Sequence, residues 1–169
     1  SSAGPVASGT SGNVVINNAT ATQFIITNKA TIEAGDPYTA GVGFDVTIEA
    51  RDANGNLVTN FNTGSIVLDD ADGTANPSIS PNSISFSSGV FSGVVTVTQS
   101  TPLILRVGQG SGLSTDQTAT ALVISPAALD HFNLVVATPQ TTGSDFVATS
   151  TLTAKDAFNN TITTFDASS

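Results

Sequence analysis

The densest set of hard oxygen donors in the chain is Asp69-Asp70-Ala71-Asp72-Gly73. Calcium collects about six to eight oxygen ligands, and a loop that gathers several carboxylates and carbonyls can supply them. Asp69, Asp70 and Asp72 are therefore the candidate metal ligands, with calcium as the ion. The run lacks the D-x-[DN]-x-[DN]-G spacing with a distal Glu that marks a calcium loop between helices. A solvated turn at the end of a strand is the competing reading. Asp52-Ala53-Asn54-Gly55-Asn56 also sets oxygens at alternate positions. Turn chemistry accounts for those residues without an ion. Asn-Gly supplies positive φ angles, and an Asp carboxylate folds back onto nearby N–H groups.

Catalytic chemistry finds little to work with. His131 is the only histidine, and a general base needs a nucleophile and an orienting partner held beside it. A Lys–Asn crosslink would need a buried lysine. Lys155 falls on the polar side of its segment and Lys29 in a loop-like one. Asn18-Ala19-Thr20 and Asn159-Asn160-Thr161 fit the glycosylation acceptor pattern. Stacking on sugars is poorly served, since Trp is absent and Tyr38 is the only Tyr. The chain has neither a Gly-rich phosphate loop nor a metalloprotease helix. The expectation is a protein that is not an enzyme and takes no cofactor, calcium excepted.

Thirteen acids against Lys29, Arg51, Arg106 and Lys155 leave a formal charge of −9. Four scattered cations cannot neutralise a run of phosphates, which argues against nucleic acid as a partner. Anionic membrane surfaces are disfavoured for the same reason. No apolar run approaches the roughly 20 residues that span a bilayer. No basic-then-apolar leader opens the chain, so any export signal is expected to have been removed or to lie outside it. With 39% hydrophobic and 10% charged residues, the chain can build cores. Cys, Met and Trp are absent. That excludes disulfides and thiolate metal sites and suits a secreted prokaryotic surface protein.

The elements that must position these residues are strands. Gly43–Phe61 alternates, with Phe44, Val46, Ile48 and Ala50 on one face and Asp45, Thr47, Glu49 and Arg51 on the other. Period two with one apolar face marks a half-buried strand. The stretch returns as Val147–Phe165, where Asp156, Asn160, Thr163 and Phe165 match Asp52, Asn56, Thr59 and Phe61 at an offset of 104. Asn159 stands where Gly55 stood, and Asn best tolerates the left-handed conformation after Gly. Val15-Ile16 and Phe24 match Val123-Ile124 and Phe132 at an offset of 108, which aligns His131 with Gln23. The difference between the offsets is assigned to extra residues around Asp36-Pro37-Tyr38-Thr39, which lengthen a loop between the first two strands.

On this register residues 1–21 read as the closing strand of a preceding repeat or a linker. Residues 22–129 read as one complete repeat, and 130–169 as the first strands of an incomplete one. Strands are expected at Gln23–Thr27, Gly43–Asp52, Leu57–Phe61, Ser65–Asp69, Ser83–Phe86, Val90–Thr98, Leu103–Val107 and Ala119–Ile124. No helical periodicity is evident. The expected core draws on Phe24, Phe44, Val46, Ile48, Phe61, Phe86, Phe91, Val95, Val97, Leu103 and Leu105. Seven or eight short strands in roughly 100 residues predict an all-β, antiparallel β-sandwich, with a small barrel as the alternative. The half-unit from Asp130 leaves Phe132, Phe146, Leu152 and Phe165 without an opposing sheet.

The series ATQFIIT, GFDVTIEARDANGNLVTNF, SISFSSGVFSGVVTV, LILRV and LVISPAALDHF resembles the bacterial immunoglobulin-like repeats of invasin- and intimin-type surface proteins. Its most specific part is the pattern shared by Ala50–Phe61 and Ala154–Phe165. The resemblance implies tandem immunoglobulin-like sandwiches at the cell surface or outside the cell. It also implies a structural role in length, display or assembly, with no catalytic residues to carry over. The partners implied are neighbouring repeats or other copies of the same protein. Two other classes stay open: a self-assembling extracellular filament or sheath subunit that pairs strand edges, and a calcium- or glycan-binding accessory module.

Overall fold

Alternating apolar residues build the strands, and Gly, Pro, Asn and Asp separate them. The computed structural model describes residues 12, 20–71, 79–145 and 150–166. In chain order the first elements are β1 (Gln23–Ile26), α1 (Lys29–Ala34), β2 (Tyr38–Thr39) and β3 (Phe44–Arg51). There follow β4 (Ile66–Asp70), β5 (Ile79–Ser80), β6 (Ser83–Ile84), β7 (Val90–Val97) and β8 (Leu105–Val107). The last are β9 (Asp116–Gln117), β10 (Ile124–Ser125), β11 (Leu129–Val135) and β12 (Thr151–Asp156).

Among the described residues, two four-stranded antiparallel sheets run in the orders β1-β3-β7-β5 and β6-β4-β8-β9. β3 is the organising strand, burying Phe44, Val46, Ile48 and Ala50 as its alternation predicts. Those side chains join Phe24 and Ile26 of β1 and Val95 and Val97 of β7 in one cluster with Leu68, Leu105 and Val107 of the other sheet. The chain is therefore an all-β protein built on a β-sandwich, and the expected core is found. Phe61 and Phe91 pack against it from partly buried positions. Phe24, Phe61 and Phe86 form a triangle with ring centroids 5.2 to 5.8 Å apart, a spacing that favours aromatic pairs. At Gly108, with φ +90°, a Cβ would lie 2.5 Å from the Phe24 ring, so only glycine fits there.

Several expectations need correction. α1 is a six-residue helix where none was evident; it buries Ile32, and the Tyr38 hydroxyl donates to the Ile32 carbonyl at 2.8 Å. One buried residue in six leaves no period to read. Burial, and then the nearby Asp36 carboxylate, raise the Tyr38 pKa. The residues around Tyr38 do more than lengthen a loop. Tyr38–Thr39 pairs in parallel with Ile124–Ser125, through Tyr38 N–H to Val123 O at 2.9 Å and Ala40 N–H to Ser125 O at 2.8 Å. Leu57–Phe61 is a turn with a single bridge, Arg51 to Leu57, instead of a third strand. Ile79–Ile84 crosses between the sheets, its first part pairing with β7 and its second with β4.

β11 and β12 form an antiparallel hairpin in which Phe132 faces Ala154 and Leu134 faces Leu152. The pairing repeats that of β1 with β3, where Phe24 faces Ala50 and Ile26 faces Ile48. The environments differ. Phe24, Ile26 and Ile48 are buried, whereas Phe132, Leu134, Leu152 and Phe165 are exposed, with Phe132 and Phe165 in edge contact at 5.2 Å. Phe146 lies outside the described residues, as do Val15 and Ile16.

Candidate functional site at the Asp156–Asn160 loop

The best-built polar site lies where the β11–β12 hairpin meets the sandwich. β12 ends at Asp156, and its turn closes through Asn159 N–H to Asp156 O at 3.0 Å and Asp156 N–H to Asn160 O at 3.1 Å. Asn159 takes φ +66°, where Gly55 of the earlier copy takes +83°; Asn meets the left-handed requirement as expected. The Asp156 carboxylate is fully buried. Its Oδ1 accepts the Phe158 and Asn160 N–H groups at 2.9 and 2.8 Å. Its Oδ2 accepts the Asn160 side-chain amide at 2.8 Å and the Ala127 N–H at 2.9 Å. Burial pushes the Asp156 pKa up, but the Asn160 amide and the Ala127, Asn160 and Phe158 N–H groups outweigh it, leaving the carboxyl below its ordinary value.

Asn160 carries the contact across. Its amide nitrogen donates a second bond to Thr98 O at 2.8 Å, and its oxygen accepts the Ser100 N–H at 2.8 Å. Thr98 and Ser100 follow directly after β7, on the end of the sandwich. Asn160 is 7% exposed, with both donors and its acceptor engaged, as a buried amide requires. Beside it the Phe158 ring lies over Gly41, where a Cβ would come within 2.5 Å of two ring carbons. Gly41 has φ +80° and donates to Val97 O at 2.8 Å. Lys155 holds the loop's outer side, donating to Asn159 O at 3.1 Å and to the Thr161 hydroxyl at 2.8 Å. The site holds no nucleophile poised on a base; its chemistry is that of a satisfied polar joint.

The residues singled out from sequence lie elsewhere. Alternation along β4 sends Asp69 and Asp70 to opposite faces. Asp69 points outward into a two-pronged ion pair with Arg106, at 3.0 and 2.5 Å. That hydrogen bond is the main cause raising the Arg106 pKa. Asp70 is buried, its Oδ1 accepting the Ile104 N–H at 3.1 Å. Asp72 lies outside the described residues. No three His, Asp or Glu side chains group as metal ligands among the described residues. His131 sits 2.9 Å from Asp130 on the surface. Lys29 opens α1 and pairs with Asp116, which also accepts the Ile26 N–H at 2.8 Å. Asn18 lies outside the described residues, and Asn159 of the second acceptor pattern is exposed.

Asn160 was visible in the sequence as a match to Asn56, yet nothing marked it as a bridging residue. The available signal is that the turn is already closed by Asp and a left-handed residue, so the second Asn is surplus to it. Thr98 and Ser100 act through backbone groups, which leave no trace in residue type. Set against protein-family models, curated proteins and solved structures, the chain has no match. No helix among the described residues is long and apolar enough to cross a membrane.

Proposed function

We propose that the chain is a structural, non-catalytic stretch of tandem immunoglobulin-like repeats from an extracellular prokaryotic surface protein, serving to hold successive domains in a fixed array. The observation that carries this reading is the Asn160 joint, which ties the β11–β12 hairpin to the end of the sandwich at Thr98 and Ser100. Strand order supports the immunoglobulin-like assignment. The sheet β1-β3-β7-β5 follows the ABED order of that sandwich, and β4-β8-β9 within the sheet β6-β4-β8-β9 follows CFG, with β6 an added strand beside β4. The repeated register of β1–β3 in β11–β12 supports a second unit beginning near Asp130. Partners on this reading are neighbouring repeats. The test is backbone 15N relaxation of the full chain. A hairpin that tumbles as one body with the sandwich supports a fixed array; a hairpin that reorients independently refutes it.

One observation favours a second reading, a subunit that assembles into a filament. The exposed face of Phe132, Leu134, Leu152 and Phe165 is a surface for strand and sheet pairing with another chain. Sedimentation of the full chain over a wide concentration range separates the two: open-ended growth supports the filament, and a persistent monomer supports the array.

A further inference from the structure

The joint at Asn160 has a twin at the far end of the sandwich. In the first copy of the loop, Asp52 Oδ1 accepts the Asn54 and Asn56 N–H groups, each at 2.9 Å. The turn closes through Asp52 N–H to Asn56 O and Gly55 N–H to Asp52 O, each at 3.0 Å. Val58 N–H donates to Ala50 O at 2.9 Å, as Ile162 N–H does to Ala154 O at 3.0 Å. The Asp-centred turn bonds of the two loops match, although the Gln23 amide donates to Asp52 O in the first and Lys155 donates to Asn159 O and the Thr161 hydroxyl in the second. The difference that bears on docking is what the second Asn does. The Asn160 amide divides its donors between Asp156 and Thr98 O and is buried. The Asn56 amide turns to Asp52 alone among the described residues, at 3.1 and 3.3 Å, and is exposed. Asn160 bridges to the sandwich, whereas Asn56 keeps the same turn geometry and spends its amide within the loop.

We propose that the end of the sandwich bearing Asp52–Asn56 is a docking surface for another unit of this kind, joined ahead of Thr22 in the same polypeptide. Asn56 then takes the carbonyl and N–H after that unit's β7, as Asn160 takes Thr98 and Ser100. A second, separate chain is a poorer occupant, because its own Asn160 already fills that turn. The contact in the first copy is purely polar: Asn54 stands where Phe158 packs over Gly41. The proposal rests on the tandem-repeat reading, and its test separates the two.

The test is a lengthened chain in which residues 1–129 are followed by 22–169, preserving the repeat spacing of 108. The second copy of Asn56 then faces the first copy of Thr98–Ser100. Expected is slowed exchange of that side-chain amide, by about fivefold or more, and common tumbling of the two sandwiches. Asn56→Ala in the second copy abolishes the common tumbling, whereas Asn56→Ala in the first copy leaves it intact. The same substitution in the 169-residue chain serves as the folding control: it removes the amide's bonds to Asp52 and lowers the melting temperature by only a few degrees. Two folded sandwiches that tumble independently, or that ignore Asn56→Ala in the second copy, overturn the docking proposal alone. A second copy that yields no protected strand amides of its own overturns the repeat reading, and docking with it.

Discussion

Asn160→Ala should release the β11–β12 hairpin while sparing the sandwich. The substitution removes two donated hydrogen bonds, to Thr98 O and Asp156 Oδ2, and one accepted from Ser100 N–H. Neutral bonds contribute about 0.5–1.5 kcal/mol net, and bonds to a charged group about 1.5–3. The joint lies at the end of the sandwich, where water can re-solvate the Thr98 and Ser100 backbone groups, so the lower ends of those ranges apply. The expected loss is about 2–3 kcal/mol, or about a 30- to 150-fold shift in the docking equilibrium. A two-stranded hairpin is marginal on its own in water, and most of the apolar face of this one is exposed. Its order therefore depends on docking. Amide hydrogen exchange is the assay: β11 and β12 amides should exchange faster by that factor, while β3 and β7 amides keep their rates. Asn56→Ala is the internal control: the same residue in the same loop is exposed there and its amide makes only the longer bonds to Asp52, at 3.1 and 3.3 Å, so it should cost about 1 kcal/mol and leave β11 and β12 exchange unchanged. Unchanged β12 protection in Asn160→Ala, or equal effects of the two substitutions, would refute the reasoning.

The remaining predictions concern the joint's charge, its packing, the core and the acidic strand. Because the folded Asp156 pKa is lowered, its stabilisation is fully present above the ordinary carboxyl value of about 3.9 and is lost as pH falls through the lower folded value; exchange of β12 followed down an acid series should show the hairpin loosening there, and Asp156→Asn should blunt that dependence. Gly41→Ala strains a positive φ and drives a Cβ into the Phe158 ring, so it should loosen the hairpin in the same exchange experiment, whereas Phe158→Ala with Gly41 retained should cost less. Phe44→Ala should cost about 3–5 kcal/mol of sandwich stability, against about 0.5 kcal/mol or less for Thr47→Ala, in denaturant unfolding; equal costs would mean the strand face is misassigned. Calcium or a chelator should leave the melting temperature nearly unchanged, because Asp69 is held by Arg106 and Asp70 faces the other way; a large calcium-dependent rise lost on replacing Asp69, Asp70 and Asp72 by Asn would restore the metal reading.

What could be read from the sequence was whatever repeats on a short period or carries a residue-type signature. The alternation of Phe44–Arg51, the Asp52–Asn56 turn and the left-handed Asn159 are all of that kind, and so is the face shared by Val95 and Val97. What could not be read depends on partners distant in the chain. Tyr38–Thr39 is two residues long and becomes a strand only because Ile124–Ser125 lies beside it. Asp69 looked like a free carboxylate because Arg106 is 37 positions away, on a strand whose register the sequence does not declare. The joint is the extreme case, as half of its hydrogen-bonding groups are main-chain atoms of Thr98, Ser100 and Ala127.

The parallel pairing of β2 with β10 has a mechanical consequence. Tension applied to the ends of the sandwich is taken first by β1 on β3; once β1 is stripped, it pulls β2 from its N-terminal side and β10 from its C-terminal side. Parallel neighbours drawn that way slide along one another, so the Tyr38–Val123 and Ala40–Ser125 hydrogen bonds are loaded together in shear. An antiparallel hairpin pulled from its open end would instead unzip bond by bond. Tyr38 and Thr39 thus place a clasp on the load path between the ends of the sandwich. Extension of the chain should therefore meet its first resistance at β1, which is paired with β3, and its second at this clasp, before the remaining strands of the two sheets separate.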